Sequence, residues 1–257
     1  MDALAEFNSR AVKKLLRDGA DPNYVDRNGY TPISWVSDVS DARALLAAGA
    51  RMDGAGASAA ICRAIEGKDP AMVAWLLAHG ANPNVITPDG DLPLTDATDW
   101  NETSSALALL RAGAKVSPPR QVEDSLVVCA AIDANPELVV AFLRHGADPN
   151  SLSTEATWGI GRTALFWAAT NVDVASVAAL LARGASPNLS RCGETPLTAA
   201  LRSRYDGSPS DWDHRSRRRY LYDQKQVIVM LRSFGATLVP VDALPAAPKP
   251  VRRPAVR

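Results

Sequence analysis

Cysteine and histidine are scarce, with three of each among 257 residues. Cys62, Cys129 and Cys192 lie far apart and no Cys-x-x-Cys pair occurs. That argues against a disulfide framework or a zinc site and suits a reducing compartment, with the three thiols as small packing groups. No run approaches the length of a membrane span. Met1-Asp2-Ala3-Leu4-Ala5-Glu6 is acidic and lacks a basic region ahead of an apolar stretch, so it does not read as a secretory signal. The expected compartment is the cytoplasm. Catalytic groupings are missing as well. His79 and His145 each stand directly before a glycine, where they can bond the carbonyls of a helix end, and His214 has no recognisable partner. Gly159-Ile160-Gly161 lacks the strand and helix that flank a phosphate-binding loop. No metal cluster is visible. The expectation is a protein that is not an enzyme and carries no cofactor or metal.

The formal net charge of zero hides an asymmetry. Residues 1–199 hold 16 Lys and Arg against 23 Asp and Glu, or −7; residues 200–257 hold 12 against 5, or +7. An acidic body joined to a basic end presents two signs to its surroundings.

What the chain has in quantity is repetition. Leu15-Leu16-Arg17-Asp18-Gly19-Ala20-Asp21-Pro22-Asn23 returns as Leu76 to Asn84, as Phe142 to Asn150 and as Leu180 to Asn188. Weaker copies end at Gly49-Ala50, Gly113-Ala114 and Gly235-Ala236. The glycines are spaced by 30, 31, 33, 33, 38 and 51 residues (49−19, 80−49, 113−80, 146−113, 184−146, 235−184). A period in the low thirties marks a solenoid of stacked units. Each phrase is a helix ending: glycine takes the left-handed conformation, and proline soon after fixes an extended exit.

A second phrase lies 21 residues before several of these glycines. It reads Thr163-Ala164-Leu165-Phe166-Trp167-Ala168-Ala169, Ser125-Leu126-Val127-Val128, Leu92-Pro93-Leu94-Thr95 and Ala59-Ala60-Ile61-Cys62. Thr31-Pro32-Ile33-Ser34-Trp35 and Thr195-Pro196-Leu197-Thr198 repeat it at altered distances. Thr or Ser before Pro is a helix start, and Asp69-Pro70 and Asn135-Pro136 start the second helices. Each unit is a helix, a turn, a second helix and a loop. Trp35, Trp75 and Trp167 occupy helix slots and read as packing residues.

These phrases resemble the ankyrin repeat over roughly residues 1 to 238. The resemblance implies an all-α ankyrin-repeat solenoid of helix-turn-helix units with hairpin loops: about six repeats plus an N-terminal half-repeat cap in residues 4–18. The family's usual histidine in the fourth position of Thr-Pro-Leu-His is replaced by Ser34, Cys62, Thr95, Val128, Phe166 and Thr198. Ala59 and Leu92 also lack the capping hydroxyl, so lower local stability is expected there. The unit ending at Gly49 is three residues short, read as a trimmed turn.

Two insertions break the period. One, near 151–159, lengthens a hairpin loop. The larger, at about 204–222 in the last repeat, is basic and aromatic and is expected to loop outward between two helices. Residues 239–257, rich in proline and arginine, read as a flexible tail.

The resemblance also implies the function: a protein–protein interaction module that grips a partner with a basic or mixed-charge face through a concave groove. Inhibitor, toxin-neutralising (immunity) and adaptor roles are known in the family. The slots before the Thr-Pro phrase and seven to eight residues after its Thr give Tyr30, Asp38, Glu66, Asp89, Asp91, Asp99, Trp100, Asp133, Ile160, Arg162, Arg191, Glu194 and Arg202. Trp100 is the aromatic anchor of that set. The alternative is binding of nucleic acid or another anionic surface by Trp212, Arg215, Arg217, Arg218, Arg219 and Tyr220 with the basic tail. A monomer is expected.

Overall fold

The computed structural model describes residues 9–116, 125–153, 160–190, 193–203 and 214–238. Contacts divide the chain into two compact units, Met1–Lys115 and Val116–Arg257. The first holds α1 (Ser9–Arg17), a single 3-10 turn (Pro32–Trp35), α2 (Val39–Ala47), α3 (Ala55–Glu66), α4 (Pro70–Ala78), α5 (Pro93–Asp99) and α6 (Thr103–Arg111). The second holds α7 (Leu126–Ile132), α8 (Pro136–Arg144), α9 (Ala164–Thr170), α10 (Val174–Ala182), α11 (Pro196–Arg202) and α12 (His214–Ser233). Among the described residues the only β pairing is an antiparallel bridge between Leu152 and Thr163. The fold is all-α.

Within each unit the helices form two rows. In the second unit α7, α9 and α11 make an inner row, and α8, α10 and α12 an outer one. Every residue of α7 is buried, as are Ala164 to Ala169 of α9. Helices apolar all round are stable only when neighbours cover every side, which stacking achieves. The outer helices bury a stripe instead: Leu138, Val139 and Phe142 in α8, Val177, Leu180 and Leu181 in α10. In the first unit the 3-10 turn packs on α3, α3 on α5, and α4 on α6, around Ile33, Ile61, Ile65, Leu76 and Leu109.

The capping expectations hold at Asp69, Asn135, Thr163 and Thr195, whereas the Ser125 side chain makes no cap bond. Asp69 Oδ1 accepts from Met72 N–H at 2.9 Å, Asn135 Oδ1 from Leu138 N–H at 3.1 Å and Thr163 Oγ1 from Phe166 N–H at 3.1 Å. All seven phrase-ending glycines have φ between +84° and +96°. At Gly80 the closing bonds run from Gly80 N–H to Leu77 O and from Ala81 N–H to Leu76 O, a six-to-one helix stop. His79 Nδ1 lies 2.8 Å from Trp75 O and His145 Nδ1 2.9 Å from Ala141 O, the helix-end role read from their positions.

Three expectations change. The unit ending at Gly49 loses its residues from the first helix and the turn after it, so one 3-10 turn replaces a seven-residue helix. Helix α3 begins at Ala55, a turn earlier than the Ala59 phrase suggested, with Gly54 as its N-cap. Residues 214–222 do not loop out; they form the first half of the 20-residue α12. Tyr220 and Gln224 hold that half down. Tyr220 Oη lies 2.8 Å from Ser203 Oγ, and Gln224 Nε2 donates to Ala200 O at 2.8 Å and Ser203 O at 3.0 Å, covering the carbonyl end of α11. Residues 204–213 and 239–257 lie outside the described residues.

Candidate binding surface

In the first unit two hairpin tips are built alike. Asp26 Oδ1 accepts from Asn28 and Tyr30 N–H, each at 2.9 Å, and Gly29 takes the turn with φ +89°. Further on, 61 residues from Asp26, Thr87 Oγ1 accepts from Asp91 N–H at 3.0 Å and Gly90 turns with φ +102°. Between them the chain passes from Gly49 into α3 through Gly54 without a hairpin of its own. The outer tips therefore meet across the gap. A Cβ on Gly29 would lie 3.4 Å from Pro88 Cβ, and Tyr30 Oη donates a hydrogen bond to Asp89 Oδ2.

This bond organises a polar cluster. Tyr30 is 8% exposed. Burial, then the bonded and charged Asp89, pushes its phenol up to about 12, because both disfavour a phenolate. The Tyr30 ring tilts against Trp35 at 5.4 Å. Over Trp35, at 4.0 Å from the ring centre, lies the Arg63 guanidinium, 5.8 Å from the Tyr30 ring. Cation–π stacking fixes the plane of the guanidinium while its N–H edge stays available to an acceptor. Beside it, burial and then the Asp96 carboxylate, which the thiol also bonds, push Cys62 well above an ordinary thiol; Asp91 and Asp89 add to the effect. Cys62 is thus a neutral donor among carboxylates. From residue 69 to 110 there is no lysine or arginine, and Asp69, Asp89, Asp91, Asp96, Asp99 and Glu102 carry six negative charges. Arg63 is a fixed cation at the edge of an acidic field.

The structure brings Tyr30, Asp89 and Asp91 together with Asp96. Asp99 ends α5, exposed, and Trp100, half-buried, is its C-cap. Glu66 ends α3, exposed. Asp38 serves as the N-cap of α2, accepting from Asp41 N–H at 2.9 Å. Arg63 was not among the sequence candidates, and Trp35 was assigned to packing alone. Their stacking joins neighbouring repeats, so only the tertiary structure reveals it.

In the second unit Arg162 repeats the theme. Its guanidinium lies 4.8 Å from the Phe166 ring centre and 5.3 Å from that of Trp167. Trp167 fills the slot four residues after its threonine, as Trp35 does. The chain below Arg162 is closed by Ser153 N–H to Arg162 O at 2.7 Å and Gly161 N–H to Ser153 O at 2.8 Å, and Ile160 is exposed. Asp133 is the half-buried C-cap of α7. Glu194 is 1% exposed and pairs with Arg202 at 2.9 Å, so its carboxylate positions Arg202 rather than facing solvent. Arg191 and Trp212 lie outside the described residues. Of the alternative set, Arg215, Arg217, Arg218 and Arg219 are exposed on α12, while Tyr220 is half-buried on its inward side, bonded to Ser203. Those residues do not share one face. Among the described residues no helix is long and apolar enough to cross a membrane.

Comparison with known proteins agrees with this geometry. A family model of ankyrin repeats, three copies, matches residues 126–208. Rabankyrin-5 from Mus musculus is 26% identical over 196 residues, 73% of this chain; the chain spans only 15% of that protein's length. The crystal structure of an ankyrin repeat domain from Acinetobacter baumannii superposes with a TM-score of 0.54 at 25% identity, covering 69% of this chain and 81% of that one. The human ASB11 ankyrin repeat domain gives a TM-score of 0.50 at 24% identity over 92% of this chain and 83% of that one.

Proposed function

We propose that this chain, which belongs to the ankyrin-repeat proteins, is a non-enzymatic binding protein that grips one protein partner with the hairpin-tip and inner-helix face of its first unit. Ankyrin repeats are protein–protein interaction modules. Supporting the choice of face is the Arg63 guanidinium, stacked at 4.0 Å on Trp35 beside the Tyr30–Asp89 pair, with Asp91 and Asp96 around the adjacent Cys62 thiol. A preorganised cation loses little entropy on binding, and the surrounding carboxylates steer a basic partner. The partner expected is a mixed-charge surface: lysines or arginines against Asp89, Asp91 and Asp99, and one carboxylate or carbonyl against Arg63. Asp133, Ile160, Arg162 and Arg202 are the corresponding contacts proposed for the second unit. An adaptor or inhibitor acting as a cytoplasmic monomer fits this reading.

The test begins with cross-linked capture from native lysate to identify the partner, followed by affinity measurements on variants. Arg63→Ala, and Asp99→Ala combined with Trp100→Ala, should each weaken binding about tenfold or more while leaving the thermal melt nearly unchanged. Unaltered affinity in both would place the binding surface elsewhere.

A further inference from the structure

The outer helices α8 and α10 have nine residues each, whereas α12 has 20. Its inward face carries Tyr220, Gln224, Val227 and Leu231 at spacings of four, three and four residues. The first two bond to the α11 end, and the last two are fully buried. Its outward face carries Arg218, Tyr222, Lys225, Val229 and Arg232 at spacings of four, three, four and three. Tyr222 is 62% exposed, Val229 54%, and Leu221 beside them 51%. Large apolar side chains that cluster on one exposed helix face mark an interaction surface, and here three of them face water together.

The outward residues fall into two rows of seven-residue period: the cations Arg218, Lys225 and Arg232, and beside them Tyr222 and Val229. Seven residues are two helical turns, so each row runs along the helix, and only another helix matches such rows continuously. An extended strand or a phosphate backbone offers nothing of that period to Val229. We propose that the outward face of α12 docks an acidic amphipathic helix of a partner protein, its apolar residues packing on Tyr222 and Val229 and its carboxylates facing Arg218, Lys225 and Arg232. This surface is separate from the hairpin-tip face, and neither reading depends on the other.

The probe is a synthetic helix-forming peptide of about 15 residues, spanning the roughly 21 Å between Arg218 and Arg232 at 1.5 Å per residue. Leucines follow the four-three spacing and glutamates flank them; a scrambled peptide of the same composition and a single-stranded oligonucleotide serve as comparisons, all titrated against the full chain. The expected result is micromolar binding of the patterned peptide and at least tenfold weaker binding of the scrambled one. Tyr222→Ser with Val229→Ser should cost a further tenfold with helix content and melting temperature retained, and Arg218→Ser with Arg232→Ser should flatten the salt dependence. Three results would overturn the proposal. One is equal binding of patterned and scrambled peptides. Another is tighter binding of the oligonucleotide, insensitive to the Tyr222 and Val229 changes. The third is a concentration-dependent mass in sedimentation that those same changes abolish, which would make a second copy the occupant.

Discussion

The Asn84 side-chain amide donates to the Gly113 carbonyl at 3.0 Å and accepts from Lys115 N–H at 2.8 Å, closing a ring between successive repeats. Its own backbone N–H is held by Asn82 Oδ1 at 3.0 Å, which orients the side chain. The same ring joins Asn23 to Gly49 and Arg51, Asn150 to Gly184 and Ser186, and Asn188 to Gly235 and Thr237. The asparagine that ends the repeated phrase is therefore a latch. It reads the next helix end through two backbone groups that any residue type would present. Where the phrase carries Asp53 instead, the carboxylate turns to Arg51 at 3.0 Å.

Asn84→Ala should remove both latch bonds and leave the Gly113 carbonyl and Lys115 N–H to water. A loss of about 1–3 kcal/mol is expected in chemical denaturation, since each bond contributes roughly 1 kcal/mol net. Asn84→Asp keeps the acceptor and loses the donor, and should fall between the two.

Tyr30 gives a pH signature. Its folded-state value of about 12 lies above the unfolded one near 10, so its contribution is complete below pH ~10 and disappears as pH rises through about 12. Over that window the wild type should lose stability that Tyr30→Phe retains. Phenolate absorbance should show one tyrosine ionising late, and that late step should be absent in the variant.

Two backbone substitutions should act in opposite directions. A Cβ on Gly56 would lie 1.9 Å from Thr31 Oγ1 where α3 meets the 3-10 turn, so Gly56→Ala should destabilise by about 1–3 kcal/mol. Lys68 is exposed with φ 55°, a conformation costing a residue with Cβ about 1–2 kcal/mol. Lys68→Gly should raise the melting temperature.

The Glu194–Arg202 pair should respond asymmetrically. Glu194 is 1% exposed and Arg202 26%, so removing the arginine strands a buried carboxylate. Arg202→Ala should cost about 3 kcal/mol, and Glu194→Gln, which leaves the more exposed member of the pair without its carboxylate, distinctly less. The two denaturation midpoints compared with wild type decide it.

The helix ends were legible because their signals are local. A glycine that needs positive φ and an Asp-Pro start state their roles within five residues. His79 was readable for the same reason. The Tyr30–Asp89 bond was not, since 59 residues separate the partners and the contact exists only because the intervening repeat lacks its hairpin. Arg63 was missed with it, because its stacking partner Trp35 belongs to the preceding repeat and no local signal pairs the two.

From the sequence alone came the solenoid period and the helix caps, because these depend on conformational preferences of a few adjacent residues. Tertiary structure decided the rest. It made residues 214–222 of a basic insert into helix, anchored by Tyr220 and Gln224 on the end of α11. It withdrew Glu194 from the surface, and it set a stacked arginine among carboxylates. These outcomes follow from which helix ends and hairpins stacking brings within bonding distance, and no local preference encodes that.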